Sequence, residues 1–142
     1  MDVRCQCGAV QFKTPSEKPQ ALYHCHCTQC RKQSASAFGT SAVFTSEGLF
    51  PMDGELEEKL KIYTRTGNED GAQVECYFCK ECGVRVLHRR RNENGYGGGV
   101  VMIKGGLVEG LKWEGGIHIH TENAVMPIPE GAEQYEGEPP SI

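Results

Sequence analysis

Eight cysteines in 142 residues fall into three tight groups, and their spacing constrains this chain more than any other feature. The groups are Cys5-Gln6-Cys7-Gly8, Cys25-His26-Cys27-Thr28-Gln29-Cys30, and Cys79-Lys80-Glu81-Cys82-Gly83, with Cys76 just ahead of the last. A C-x-x-C turn sets two sulfurs about 3.5–4 Å apart, one edge of a tetrahedron, and a following Gly lets the backbone turn beneath a metal. Two such pairs complete a Cys₄ zinc site. Cys5 and Cys7 are expected to join Cys79 and Cys82, because Gly follows both pairs. A full thiolate set leaves no position for a substrate, so this site reads as structural.

The middle group reads differently. Cys25, Cys27 and Cys30 supply three thiolates within six residues and no obvious fourth ligand. Three protein ligands and an exchangeable position make the arrangement of a catalytic zinc. Zinc with three thiolates is formally −1, and a soft thiolate is the natural fourth partner. The alternative is that His24, His26 or Cys76 completes the set and makes it structural too. His26, between two ligands, is a candidate proton shuttle or hydrogen-bond donor to the site. Arg31, next to Cys30, could offset thiolate charge or hold a substrate carboxylate. Cys76 reads as a small packed residue, with a redox thiol as the rival. His118 and His120 read as surface residues on a strand.

Composition narrows the class. The chain suits one domain with a modest core. Hydrophobic residues make up 38% and charged residues 24%, an ordinary globular balance. The net charge of −4 gives no general attraction for nucleic acid or an anionic membrane. Arg89-Arg90-Arg91 is too short a basic run to change that and reads as a solvated strand end, with an anion contact as the alternative. No apolar run approaches the ~20 residues needed to cross a bilayer, and the start of the chain has no apolar signal core. A cytoplasmic location is therefore expected, where thiols stay reduced and bind metal rather than each other.

Short β-branched or alternating runs, separated by Gly and Pro, predict strands at 9–12, 21–24, 40–44, 60–64, 74–78, 84–88, 100–103 and 117–120. Only 28–34 and 55–59 read as helical. After Pro127, four glutamates and further prolines predict an extended, partly ordered tail over 131–142, leaving one domain over 1–130. The whole is an all-β chain with a thin core that metal would staple.

Cys5-x-Cys7-Gly8, Cys25-His26-Cys27-x-x-Cys30-Arg31 and Phe78-Cys79-x-x-Cys82-Gly83, in this order, resemble the glutathione-dependent formaldehyde-activating (GFA) family, which shares its domain with centromere protein V. Ile119-His120-Thr121-Glu122-Asn123 with Pro127 and Pro129 looks like the family's closing strand and tail. The resemblance implies an all-β, Mss-four-like β-tent of antiparallel sheets with short helical turns, holding two zinc ions. Cys5, Cys7, Cys79 and Cys82 would hold the structural ion, and Cys25, Cys27 and Cys30 the catalytic one, served by His26 and Arg31. The implied activity is that of a carbon–sulfur lyase, joining a glutathione-type thiol to a small carbonyl or releasing it. A non-catalytic zinc module and a thiol redox enzyme using Cys76 are the readings from other classes.

Overall fold

The computed structural model describes residues 1–67 and 71–140. Two sheets carry the fold. The smaller pairs β1 (Asp2–Arg4) antiparallel with β2 (Gln11–Lys13). The larger contains β3 (Ala21–Cys25), β4 (Gly39–Thr45), β5 (Leu60–Arg65), β6 (Gln73–Cys79), β7 (Arg85–Asn92), β8 (Gly95–Tyr96), β9 (Val100–Lys104) and β10 (Ile117–Ile119). Its strand order is β10-β3-β4-β9-β7-β6-β5, with β8 pairing to β7. Every pair is antiparallel except β10 with β3, which is parallel. The helices are α1 (Thr28–Ser34) and α2 (Gly54–Glu58), as short as the sequence implies.

The expected all-β class is what the chain adopts, and each predicted strand overlaps an observed one. β1 and β8 had escaped the sequence reading, because two or three residues carry too little periodicity to register.

The large sheet has two faces with different occupants. Side chains alternate across a strand, and the alternation sorts most of them; on β7, where the register shifts against β6, the neighbours Val86 and Leu87 are both fully buried. Leu22, Ala42, Phe44, Tyr77, Val101 and Ile103 turn to the core beneath β1 and β2. Phe44, Leu87 and Ile103 are fully buried, each stabilising the fold by roughly 1.5–3 kcal/mol relative to exposure. The residues between them, such as Tyr23, Val43, Cys76 and Met102, line a cavity on the opposite face.

The C-terminal segment is better anchored than its composition suggests. His118 N donates to Glu133 O at 2.9 Å, Tyr135 N to His118 O at 2.9 Å, and His120 N to Gly137 O at 3.0 Å. Gln134 also forms a parallel bridge to His118, so the segment runs alongside β10. Residues 141 and 142 of the expected tail lie outside the described residues.

Candidate active site

The first cysteine group is a closed set. Cys5 Sγ lies 3.6 Å from Cys7 Sγ and 3.7 Å from Cys79 Sγ, and Cys7 Sγ lies 3.8 Å from Cys79 Sγ. A tetrahedral zinc with bonds of about 2.3 Å has edges of about 3.8 Å, so these separations fit the ion. Cys82 completes the group, and all four sulfurs lie within 4.8 Å of one another. Gly8 (φ 80°) and Gly83 (φ 77°) take the left-handed conformation as each turn closes, which a residue with a Cβ adopts at a cost. Gly83 N donates to Cys79 O at 2.9 Å and Gly8 N to Cys5 O at 3.1 Å. The Val84 N–H is the largest influence holding the Cys82 thiol down at about 6. Cys5 and Cys79 are buried in the core cluster.

The second group is built from a strand end and a helix start. Cys25 is the last residue of β3, and Cys27 is the N-cap of α1. The Cys27 Sγ accepts the Cys30 N–H at 3.3 Å, so sulfur takes the place that Ser or Asp usually fills. No β-branched run interrupts Thr28–Ser34, and Ala35, in the left-handed conformation at φ 50°, ends the helix. The three sulfurs lie within 4.8 Å of one another, a soft donor set that fits zinc. Hydrogen bonds from the Cys25 and Cys30 thiols push the Cys27 thiol down, aided by the Cys30 N–H and the field of His120. Cys25 is pushed up, chiefly because its proton is held between it and Cys27. Each of the two groups could hold a zinc ion.

Cys25, Cys27 and Cys30 open into a cavity of about 870 Å³ on the second face of the sheet. Its ionic lining is lopsided: Lys32, Arg65, Arg85, Arg90 and Lys104 against one carboxylate, Glu138. The Arg65 Nε is buried with no hydrogen-bond partner among the described residues. Burial pushes the Lys104 ammonium down, and the nearby Cys30 and Cys76 sulfurs oppose that. Buried donors without partners are costly and call for an acceptor. The cavity is thus shaped for an anion beside a thiolate-rich corner.

Several sequence expectations meet this geometry differently. His26 is fully buried and turned from the cavity, with its Nε2 2.9 Å from His118 Nδ1. His118, read as a surface residue, is itself buried, stacked on His26 and tilted against His24. Alternation along β3 explains this: Cys25 faces the cavity, so His24 and His26 face away. Burial lowers the affinity of all three rings for a proton. His120, also read as a surface residue, lines the cavity instead. Arg31 does not line the cavity either; its Nη1 donates to Asn123 O at 3.2 Å and ties α1 to the segment after β10.

The arginine run divides by parity. Arg90 lines the cavity, while the Arg89 guanidinium lies between the rings of Phe50 (3.6 Å) and Tyr96 (3.4 Å). Arg89 and Arg91 both reach Glu75 at 3.7 Å. Arg90 and Arg91 are exposed, as expected of a solvated strand end, whereas Arg89 is packed between the two rings. Cys76 is buried, lines the cavity, and belongs to neither cysteine group.

The pattern of the glutathione-dependent formaldehyde-activating enzyme family matches residues 1–123. The chain belongs to this family. No curated protein matches it. The matched span contains all seven grouped cysteines and ends just beyond β10, so the strap that follows, with Glu138, lies outside it. Among the described residues of this GFA-family chain, no helix is long and apolar enough to cross a membrane.

Proposed function

We propose that this chain is a zinc-dependent carbon–sulfur lyase that joins a glutathione-type thiol to a small aldehyde and releases it in reverse. The observation that carries the reading is the contrast between the two cysteine groups: one brings four sulfurs together, anchored in the core by Cys5 and Cys79, and the other brings three that open into a cationic cavity. Family membership supports the same reaction class. Cys5, Cys7, Cys79 and Cys82 would hold a structural zinc, and Cys25, Cys27 and Cys30 a catalytic one. Zinc at the trio lowers the pKa of a bound thiol and so supplies thiolate at neutral pH.

The chain's own side chains do the rest. Arg65, Arg85 and Lys104 hold the carboxylates of the thiol, which fixes its sulfur toward the trio. Val43, Val100 and Met102 exclude water from the sheet side of the cavity and strengthen those ionic contacts. In the forward direction the sulfur–carbon bond forms as the carbonyl π bond opens, and the thiol proton ends on the new hydroxyl. His120, on the cavity wall in the neighbourhood of Cys27, carries that proton in this reading, since His26 is turned away.

The thiol and aldehyde also combine without help, so the test is a rate above background. Formation of S-hydroxymethylglutathione should be accelerated by the zinc-loaded protein, and Cys27→Ser should return it to the uncatalysed rate with the fold retained. Full turnover in that variant would remove the trio from the reaction.

A further inference from the structure

The segment that follows the family-matched span builds part of the cavity. It is held to β10 by the hydrogen bonds described above, reinforced by Thr121, whose N and Oγ1 both donate to Tyr135 O at 3.2 Å. It then brings Glu138, Pro139 and Pro140 to the cavity wall. The Glu138 Oε1 lies 3.3 Å from the Nε2 of His120, another cavity-lining residue, and the carboxylate side chain stays largely exposed. The field of Glu138 also reaches the Tyr23 hydroxyl on the same cavity wall.

Strand order places the charges. β10 neighbours β3, whose end carries Cys25, so Glu138 stands on one side of the trio. Lys104 on β9 is two strands beyond β3 in the other direction, about 10 Å at normal strand spacing. Arg85 on β7 is three strands away, about 14 Å. A ligand with its sulfur at the trio thus meets a carboxylate on one side and a broad cationic wall on the other.

We propose that Glu138 is a specificity-determining residue that recognises an ammonium group on the thiol substrate, opposite the carboxylate held by Lys104 and Arg85. The ligand class is a peptide-like thiol whose sulfur lies between an ammonium end and a carboxylate end. Cysteine itself is too short to span both sides. The inference rests on the reading that a thiol occupies this cavity. It goes beyond that reading by assigning the choice among thiols to a segment outside the matched family span.

The probes are glutathione and its desamino analogue, in which hydrogen replaces the ammonium. Calorimetry on the zinc-loaded full chain should show tighter binding of glutathione than of the analogue. Glu138→Gln should weaken glutathione roughly two- to fivefold, the range of a solvent-facing ion pair, and leave the analogue unchanged. A preference for glutathione that survives the substitution, or no preference in the wild type, overturns the proposal. Turnover of formaldehyde measured in parallel separates the two claims. Discrimination at Glu138 without turnover removes the lyase reading alone, whereas turnover with equal binding of both probes removes the Glu138 assignment alone.

Discussion

Serine in place of one cysteine should have opposite consequences in the two groups. Cys5 and Cys79 enclose 75 residues (79 − 5 + 1), and a cross-link closing a loop of that size stabilises by about 4.5 kcal/mol in the chain-entropy account. Cys25 to Cys30 enclose six residues (30 − 25 + 1), for which the same account gives about 2 kcal/mol. Cys79 is completely buried, so its replacement also strands a hydroxyl in the core at about 1–3 kcal/mol. Total stability for a domain is only about 5–15 kcal/mol. With about 2–4 °C lost per kcal/mol at this size, Cys79→Ser should lower the melting temperature by roughly 10–30 °C or abolish the transition. Cys27→Ser should cost no more than about 4–8 °C on the same scale. Circular dichroism melts on zinc-loaded protein, with metal counted by native mass spectrometry, read both variants. Equal drops, or a larger one for Cys27→Ser, would refute the division into a structural and a working group.

Acid should destabilise the fold at mildly low pH. His24, His26, His88 and His118 all have pKa values depressed by burial below the ordinary 6.5. The unfolded chain therefore takes up protons near 6.5 that the native chain refuses. Stability is complete above that pH and erodes as pH falls through and below it. Side-chain nitrogen NMR should find these four rings titrating below 6.5, and denaturant midpoints should fall between pH 7.5 and 5.5; rings titrating above 6.5 or a rising midpoint contradict the argument. Glu75 accepts hydrogen bonds from the Tyr77 and Tyr96 hydroxyls at about 3.1 Å and pairs with Arg89, whose side chain is 12% exposed. Glu75→Ala leaves those partners stranded and should cost about 3 kcal/mol, read as a shifted urea midpoint. An unchanged midpoint would show the network to be idle.

Much of this was legible in the sequence because cysteine spacing encodes local geometry. The C-x-C-G and C-x-x-C-G turns specify sulfur separations within a few residues, and short apolar runs such as Thr40–Phe44 declare their strand type though not their faces. What escaped depended on partners distant in the chain. His118 looks like a surface residue until β10 is set parallel to β3, which brings it against His24 and His26. Lys104, Arg65 and Arg85 look like ordinary charged strand ends. Parity places Lys104 and Arg65 on the face opposite Ile103 and Phe44, an irregularity in the β6–β7 register turns Arg85 there as well, and the strand order gathers all three. The proline-rich composition after Pro127 suggested a loose tail, since backbone hydrogen bonds to His118, His120 and Thr121 leave no trace in composition.

The separation of Cys5 from Cys79 along the chain also orders events on the ribosome. The trio has all its sulfurs once residue 30 has emerged, whereas the quartet must wait for residue 82. The interval is 52 residues (82 − 30), or roughly 3–10 s at ordinary elongation rates. During those seconds the nascent polypeptide can capture zinc at its reactive corner while its fastening clasp is still half-synthesised.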